Sequence, residues 1–313
     1  SIIFFKKSLK INLNYLDALN NLGISYKEIG QRQKSINCFK KILNINSEYA
    51  KSYFNLHSLL INEKDMNFAL NCLKESIKIE PDNYDYNLHL GVLLEYSGNI
   101  SQAKKIFKKI DSGPKLIQSR LDSWIYIKNS QKKIPRMIAY PYDAFKIATK
   151  ASAKLGLVLE FGVSYGTSIK QIAKLITTEI HGFDSFQGLP NSWHKETKGT
   201  YTTKGIVPKL PKNVSIHKGL FKDTIPKFLK NNKGAIRLIN IDCDLYSSTN
   251  TVLNLLAHQI VPGSIIIFDE YIANENWRED EFRSFQAAVI KYKWKYTYLA
   301  FSLLTKQVVI KIL

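Results

Sequence analysis

Arginine is nearly missing from a chain that is otherwise strongly basic. Only Arg32, Arg120, Arg136, Arg237, Arg278 and Arg283 stand among its 45 basic residues, and the formal charge is +19 over 313 residues. Base-specific readout and a bidentate grip on phosphate lean on the planar guanidinium, so the charge is not read as a nucleic-acid footprint. Lysine with abundant Asn and Ile reads as compositional drift, an anionic substrate or partner being the other source. Cysteine is scarce as well. Cys38, Cys72 and Cys243 are odd in number and lack metal-type spacing; a disulfide framework is not expected, and reduced thiols point to a cytoplasmic protein. No apolar run reaches the roughly 18 residues a membrane span needs. The apolar start at residues 1–5 meets Lys6, Lys7 and Lys10 at once, so no secretory leader is expected. What remains is an ordinary globular composition, 45% hydrophobic and 23% charged, in a chain long enough for two cores.

A period of 34 residues runs through the first third, with units opening at Leu16, Ala50 and Tyr84. Leu22, Leu56 and Leu90 coincide, as do Gly23, His57 and Gly91; Tyr26, Leu60 and Leu94; Gly30, Lys64 and Gly98; Ser35, Ala69 and Ala103; and Phe39, Leu73 and Phe107. Small residues where two helices cross, and large ones where they interlock, resemble the tetratricopeptide repeat. Pro81 stands where that repeat places its terminal proline; the first unit has Ser47 there, and His57 and Lys64 depart from the pattern in the middle one. Residues 5–13 match the second helix of a further unit and no initiator Met is present, so an upstream repeat is expected. Such arrays present a concave face, which suits a protein or peptide partner; a spacer or a self-association element is the plainer reading. Asp111–Pro114 breaks the last helix, giving an expected division into a solenoid over 1–117 and a second domain over 118–313.

From Leu116 to Lys150 the pattern is mostly helical, interrupted at Pro135 and Pro141. Strand-like runs at 157–161, 180–183, 214–217, 236–241 and 264–268 then alternate with helical runs at 167–177, 224–231 and 248–258. This is the signature of a parallel sheet covered on both faces. A helix at 280–292 is followed by runs at 296–301 and 307–312, close enough to form an antiparallel hairpin. The seven strands resemble the Rossmann-like class I S-adenosylmethionine-dependent methyltransferase fold.

Two acidic pairs follow buried-strand runs: Asp242 and Asp244 after Ile241, and Asp269 and Glu270 after Phe268. Ligands of open parallel sheets bind beyond the carboxyl ends of the strands. Four carboxylates there repel one another and are costly to desolvate without a cation or a proton to move. Capping of the next helix is the bland alternative for Asp242 and Asp244.

The turn after the first of these strands, Glu160-Phe161-Gly162-Val163-Ser164-Tyr165-Gly166-Thr167-Ser168, has Ser164 where a dinucleotide fingerprint needs glycine. Its acidic-x-Gly-x-x-x-Gly form resembles the methyltransferase loop instead. There the glycines admit the methionine end of the cofactor, and the acidic residue can hold its ammonium group. Asp184 ends the next strand about 20 residues on, where a carboxylate can take two ribose hydroxyls; a helix N-cap at Asp184 or Ser185 is the alternative. His217-Lys218-Gly219-Leu220-Phe221 would border the adenine.

Together with Asp184–Pro190, Lys218–Pro226, Ile241–Tyr246 and Phe268–Tyr271, this loop makes the second domain resemble the macrocin O-methyltransferase family. The resemblance implies methyl transfer from S-adenosylmethionine to a hydroxyl of a sugar or glycoside, usually with Mg²⁺. By its pattern Asp244 is the general base and Asp242, Asp269 and Glu270 hold the metal. Glu160, Phe161, Gly162, Gly166, Ser168, Asp184, Ser185, Lys218, Gly219 and Asp242 are the candidate cofactor residues. Trp193, His194, Tyr246 and Tyr271 are the candidate acceptor residues. Position 270 departs from the family in carrying Glu where Asp is usual. A vicinal-diol acceptor such as a catechol would use the same groups, and a degenerate domain serving the repeats as scaffold is the rival from another class. His181, His194 and His217 are rival bases, of which His181 and His217 read as core or edge residues.

Overall fold

The computed structural model describes residues 2–61 and 66–313, and the chain divides into two compact units, Ser1–Tyr142 and Asp143–Leu313. The first unit is helical, with α1 (Ile2–Ile11), α2 (Leu16–Glu28), α3 (Arg32–Ile45), α4 (Ala50–Leu60), α5 (Met66–Ile79), α6 (Tyr84–Tyr96), α7 (Ile100–Lys109) and α8 (Lys115–Asn129). Helices α2, α4 and α6 start on the three residues that open the sequence repeats, and each packs on the helix after it. The pairing is tight because of what faces each glycine. A Cβ on Gly23 would meet the Phe39 ring at 2.8 Å, and one on Gly91 the Phe107 ring at 2.5 Å. In the middle unit the matching partner is the smaller Leu73, and the glycine position holds His57. Lys64, the other departure in that unit, lies outside the described residues.

His57 is fully buried, and its Nδ1 meets the Phe54 carbonyl oxygen. Burial pushes its pKa down to about 3, with the Lys27 ammonium adding to the effect. His89, with its ring 5.4 Å away, is likewise driven down by burial. A histidine whose folded pKa is lowered contributes stability above its unfolded value near 6.5, and that contribution is lost as pH falls below it. Thermal unfolding of the first unit is therefore expected to weaken by about 2 kcal/mol per such histidine between pH 6.5 and 5. Melting curves of His57→Gln across that range should show roughly half the wild-type dependence; an unchanged slope would rule His57 out as a source.

The first unit closes with β1 (Arg136–Met137) and the start of α9 (Pro141–Ala151), which runs on into the second. Pro141 opens this helix rather than interrupting it, since its missing N–H has no partner to lose in the first turn. The second unit continues with β2 (Leu157–Phe161), α10 (Thr167–Ala173), β3 (Ile180–Asp184), β4 (Val214–Lys218), α11 (Phe221–Asn231), β5 (Ile236–Ile241), α12 (Tyr246–Leu255), β6 (Ile265–Phe268), α13 (Glu281–Tyr292), β7 (Tyr296–Phe301) and β8 (Val308–Ile312). These strands follow the order β7-β8-β6-β5-β2-β3-β4. Five run parallel, and β8 and β7 close the arrangement antiparallel. With the two-residue β1 the sheet counts eight strands rather than the expected seven; two residues are too few to show a period. Strands β2, β5 and β6 are buried on both faces, as their mainly apolar runs require, Glu160, Arg237 and Asn240 being the polar residues within them. Among the described residues no helix is long and apolar enough to cross a membrane.

Candidate active site

Strand β2 pairs with β3 on one side and β5 on the other, so the chain reverses its direction of travel across the sheet between β2 and β5. A crevice opens outside the strand ends at such a point. Register decides which residues meet there. Phe161 lies beside both Phe183 and Ile241, and Ile241 beside Phe268. Each next residue continues the ladder: Gly162 N donates to Phe183 O (3.0 Å), Asp242 N to Phe161 O (2.9 Å) and Asp269 N to Ile241 O (3.0 Å). The glycine loop and both acidic pairs are thereby brought to one edge.

They line a single cavity of about 510 Å³, together with Asp184, Ser185 and Gly219. Gly162 sits at φ +91°, and a Cβ there would lie 1.9 Å from the Asp242 carbonyl oxygen. Asp184 ties two loops together, its Oδ2 accepting from Ser164 N (2.7 Å) and its Oδ1 from Phe186 N (2.6 Å). Ser164, Phe186 and Asp244 all hold left-handed φ values, 45°, 59° and 58°, strain of the kind that gathers at functional sites.

The carboxyls share one electrostatic problem. Burial, then Asp269 and Asp244, raises Asp242 well above the carboxylate range. Burial, then Glu270 and Asp269, pushes Asp244 up to about 7. Asp269 and Glu270 are raised by burial too, and the Lys306 ammonium works against the rise in both. Lys306 Nζ lies 2.9 Å from each Glu270 oxygen, and Gln307 Nε2 donates to Asp269 Oδ1 at 2.5 Å. Two donors just before β8 thus occupy the acids that follow β6. As placed, the set does not fit Mg²⁺: Glu270 already carries a cation, and among the described residues no group of three such side chains is gathered as a metal requires.

Other candidates lie beside the cavity rather than on it. Glu160 is fully buried, its Oε1 accepting from Ser168 Oγ (2.8 Å) and its Oε2 from Asn240 Nδ2 (3.3 Å), and burial raises it to about 8. Phe161 stacks on Phe183 at 4.6 Å. Gly166 starts α10 in the left-handed region, and Lys218 Nζ donates to Gly205 O at 2.8 Å. Trp193 Nε1 (2.8 Å) and His194 Nε2 (3.0 Å) reach Asp280 Oδ2. Tyr246 lies under the Arg283 guanidinium. Tyr271 is fully buried, with its hydroxyl 3.0 Å from that of Tyr298. His181 and His217 pair with each other at the β3–β4 side of the sheet. Lys306, Gln307 and Asp280 were not among the candidates drawn from sequence; Ser164 of the glycine turn and Tyr201 line the cavity directly.

Residues 156–291 match the profile of the Macrocin-O-methyltransferase (TylF) family, and residues 16–49 that of the tetratricopeptide repeat. No curated protein matches the chain. Among solved structures, the calicheamicin methyltransferase CalS11 is 16% identical, covering 72% of this chain and 91% of its own, with a TM-score of 0.42. The O-methyltransferase NovP is 18% identical over 55% of this chain and 77% of its own, also with a TM-score of 0.42. MamA is 24% identical over 40% of this chain and 74% of its own, at a TM-score of 0.35.

Proposed function

Taking residues 156–291 as a methyltransferase domain of the macrocin-O-methyltransferase type, we propose that the second unit transfers a methyl group from S-adenosylmethionine to a hydroxyl of a sugar or glycoside. The observation that carries this reading is one cavity lined by the glycine loop, the ribose-type carboxylate Asp184 and the strained acid Asp244. The lining suits the cofactor: Gly162 and Gly219, at φ +91° and +144°, put bare backbone on the cavity wall. When bound, S-adenosylmethionine supplies a methyl group on a positively charged sulfur.

The protein's own part is proton handling and placement. An alcohol is a poor nucleophile until its proton is taken, and Asp244, poised near pH 7, takes it in this proposal. Asp184 fixes the loops that follow β2 and β3, and so fixes the cofactor side. The segment over residues 187–210 brings Tyr201 and Asn191 to the cavity and serves as the acceptor-side wall, where exclusion of water strengthens each charge. Lys306 supplies a positive charge that favours the ionised form of Glu270 beside Asp244, against the rise that burial causes. The repeats would recruit a protein partner or a second copy.

The test is calorimetric titration of S-adenosylhomocysteine, followed by transfer of labelled methyl to free, glycosidic and nucleotide-linked sugars. Binding in the roughly micromolar range with transfer to one sugar class is expected. A folded protein that binds no S-adenosylhomocysteine would remove the enzyme reading and leave the repeats as the working part.

A further inference from the structure

The two acidic pairs sit on separate loops, and nothing between β5 and β6 in sequence obliges those loops to hold a common geometry. One side chain reaches both. Glu281, the first residue of α13 and fully buried, accepts from Glu270 N through Oε2 at 2.9 Å and from Cys243 N through Oε1 at 3.4 Å. Cys243 lies between Asp242 and Asp244, and Glu270 directly follows Asp269. The same turn carries Asp280, whose Oδ2 holds Trp193 and His194 and whose Oδ1 accepts from Tyr246 N at 3.3 Å.

We propose that Glu281 is a positioning residue for methyl transfer, a carboxyl clamp that sets Asp242 and Asp244 against Asp269 and Glu270 by gripping one backbone amide of each loop. This role rests on the reaction proposed above. A glutamate suits it for three reasons. Both its oxygens accept, so one planar group can serve two loops. Its place at a helix N-terminus favours a carboxyl acceptor there, against the burial and the neighbouring Asp244, Asp269 and Glu270 that push it well above the usual carboxyl range. Its burial excludes the water that would otherwise compete for those amides. The grip also explains a costly burial: a fifth carboxyl beside four others is tolerable only where hydrogen bonds hold it. Buried well away from solvent, Glu281 acts through other residues and need not touch the acceptor.

The full chain with ¹⁵N-cysteine gives three amide signals, from Cys38, Cys72 and Cys243, of which only Cys243 meets Glu281. In Glu281→Gln, one oxygen is exchanged for an amide that cannot accept. One of the three signals is expected to move. Hydrogen exchange over residues 242–246 and 269–272 should quicken about tenfold while β5 and β6 hold their protection. S-adenosylhomocysteine should still bind within about threefold, its side of the cavity being held by Asp184. Turnover on a nucleotide-linked sugar should fall roughly a hundredfold in kcat with KM little changed, as for a small misplacement of reacting groups. Glu281→Asp keeps the carboxyl but is too short to span both amides; it should recover one loop's protection and part of the rate, and it stands in if the Gln variant does not fold. The proposal is overturned if strands and loops loosen alike, or if neither the cysteine signals nor the exchange of residues 269–272 changes. Absence of turnover in the wild type would count against the proposed reaction alone, since the NMR and exchange results decide the clamp.

Discussion

Replacing Asp244 by Asn is expected to lower turnover by about a thousandfold while leaving the affinity for S-adenosylhomocysteine within about threefold, the usual reach of a lost general base. The substitution isolates chemistry from shape. Asp244 holds φ 58°, and Asn tolerates the left-handed region as readily as Asp, so the loop has no reason to move. The carboxyl is pushed up to about 7 by burial and by Glu270 and Asp269, so wild-type turnover should rise as pH climbs through 7 and then level off. That rising limb should vanish with the base. A second sign runs opposite. The raised folded pKa means that ionisation of Asp244 opposes folding above its unfolded value; the uncharged variant should therefore melt higher than the wild type at pH 8. Near-wild-type rates, or a pH profile that survives the substitution, would move the role of base to another group.

Gly162→Ala should be nearly as damaging, by a different route. At φ +91° any side chain is strained, and the new Cβ would fall 1.9 Å from the Asp242 carbonyl oxygen. Contact at that distance cannot be relieved by rotating a side chain, because the obstacle is backbone. Either the end of β2 or the loop after β5 must shift, breaking the Asp242 N–Phe161 O bond of 2.9 Å. Loss of S-adenosylhomocysteine affinity by at least about a hundredfold and a stability cost of about 3 kcal/mol are expected, read by calorimetry and melting. Gly199→Ala is the matched control: its φ is +87°, yet nothing lies within 4 Å of the added carbon. Its cost should stay near 1 kcal/mol. Equal effects at the two positions would mean that backbone conformation, not the close approach, accounts for the loss.

The contrast between these glycines marks what could be read from sequence and what could not. The repeat phase was legible because α2, α4 and α6 start at Leu16, Ala50 and Tyr84, and interhelical glycines recur wherever an aromatic ring faces them. The strand ends were legible because the runs closing at Phe161, Ile241 and Phe268 stop at a glycine turn or at an acid. Their gathering in one crevice then followed from parallel alternation. Side-chain direction was not legible. Tyr271 follows Glu270 immediately, yet it turns into the core toward Tyr298 and Gln286. Glu160 has the spacing of a cofactor ligand, but Ser168 and Asn240 take its two oxygens. The residues that tune the acids, Lys306, Gln307 and Glu281, arrive from a hairpin and a helix with no fixed spacing to the motifs they serve. Only the tertiary path brings them there.

The place of β8 in the sheet carries a consequence for how the molecule is made. The last strand in sequence is not at the rim; it slots between β6 and β7 and pairs with both. Until residues 308–312 have been synthesised, the row Ile265–Phe268 has an open flank of unpaired amides and carbonyls next to wholly apolar side chains, an invitation to stick to another chain. The same final stretch delivers Lys306 and Gln307 to Glu270 and Asp269. Ribosome stalling or proteolytic trimming ahead of Lys306 would therefore yield a polypeptide that is prone to clump and wrongly charged at its centre.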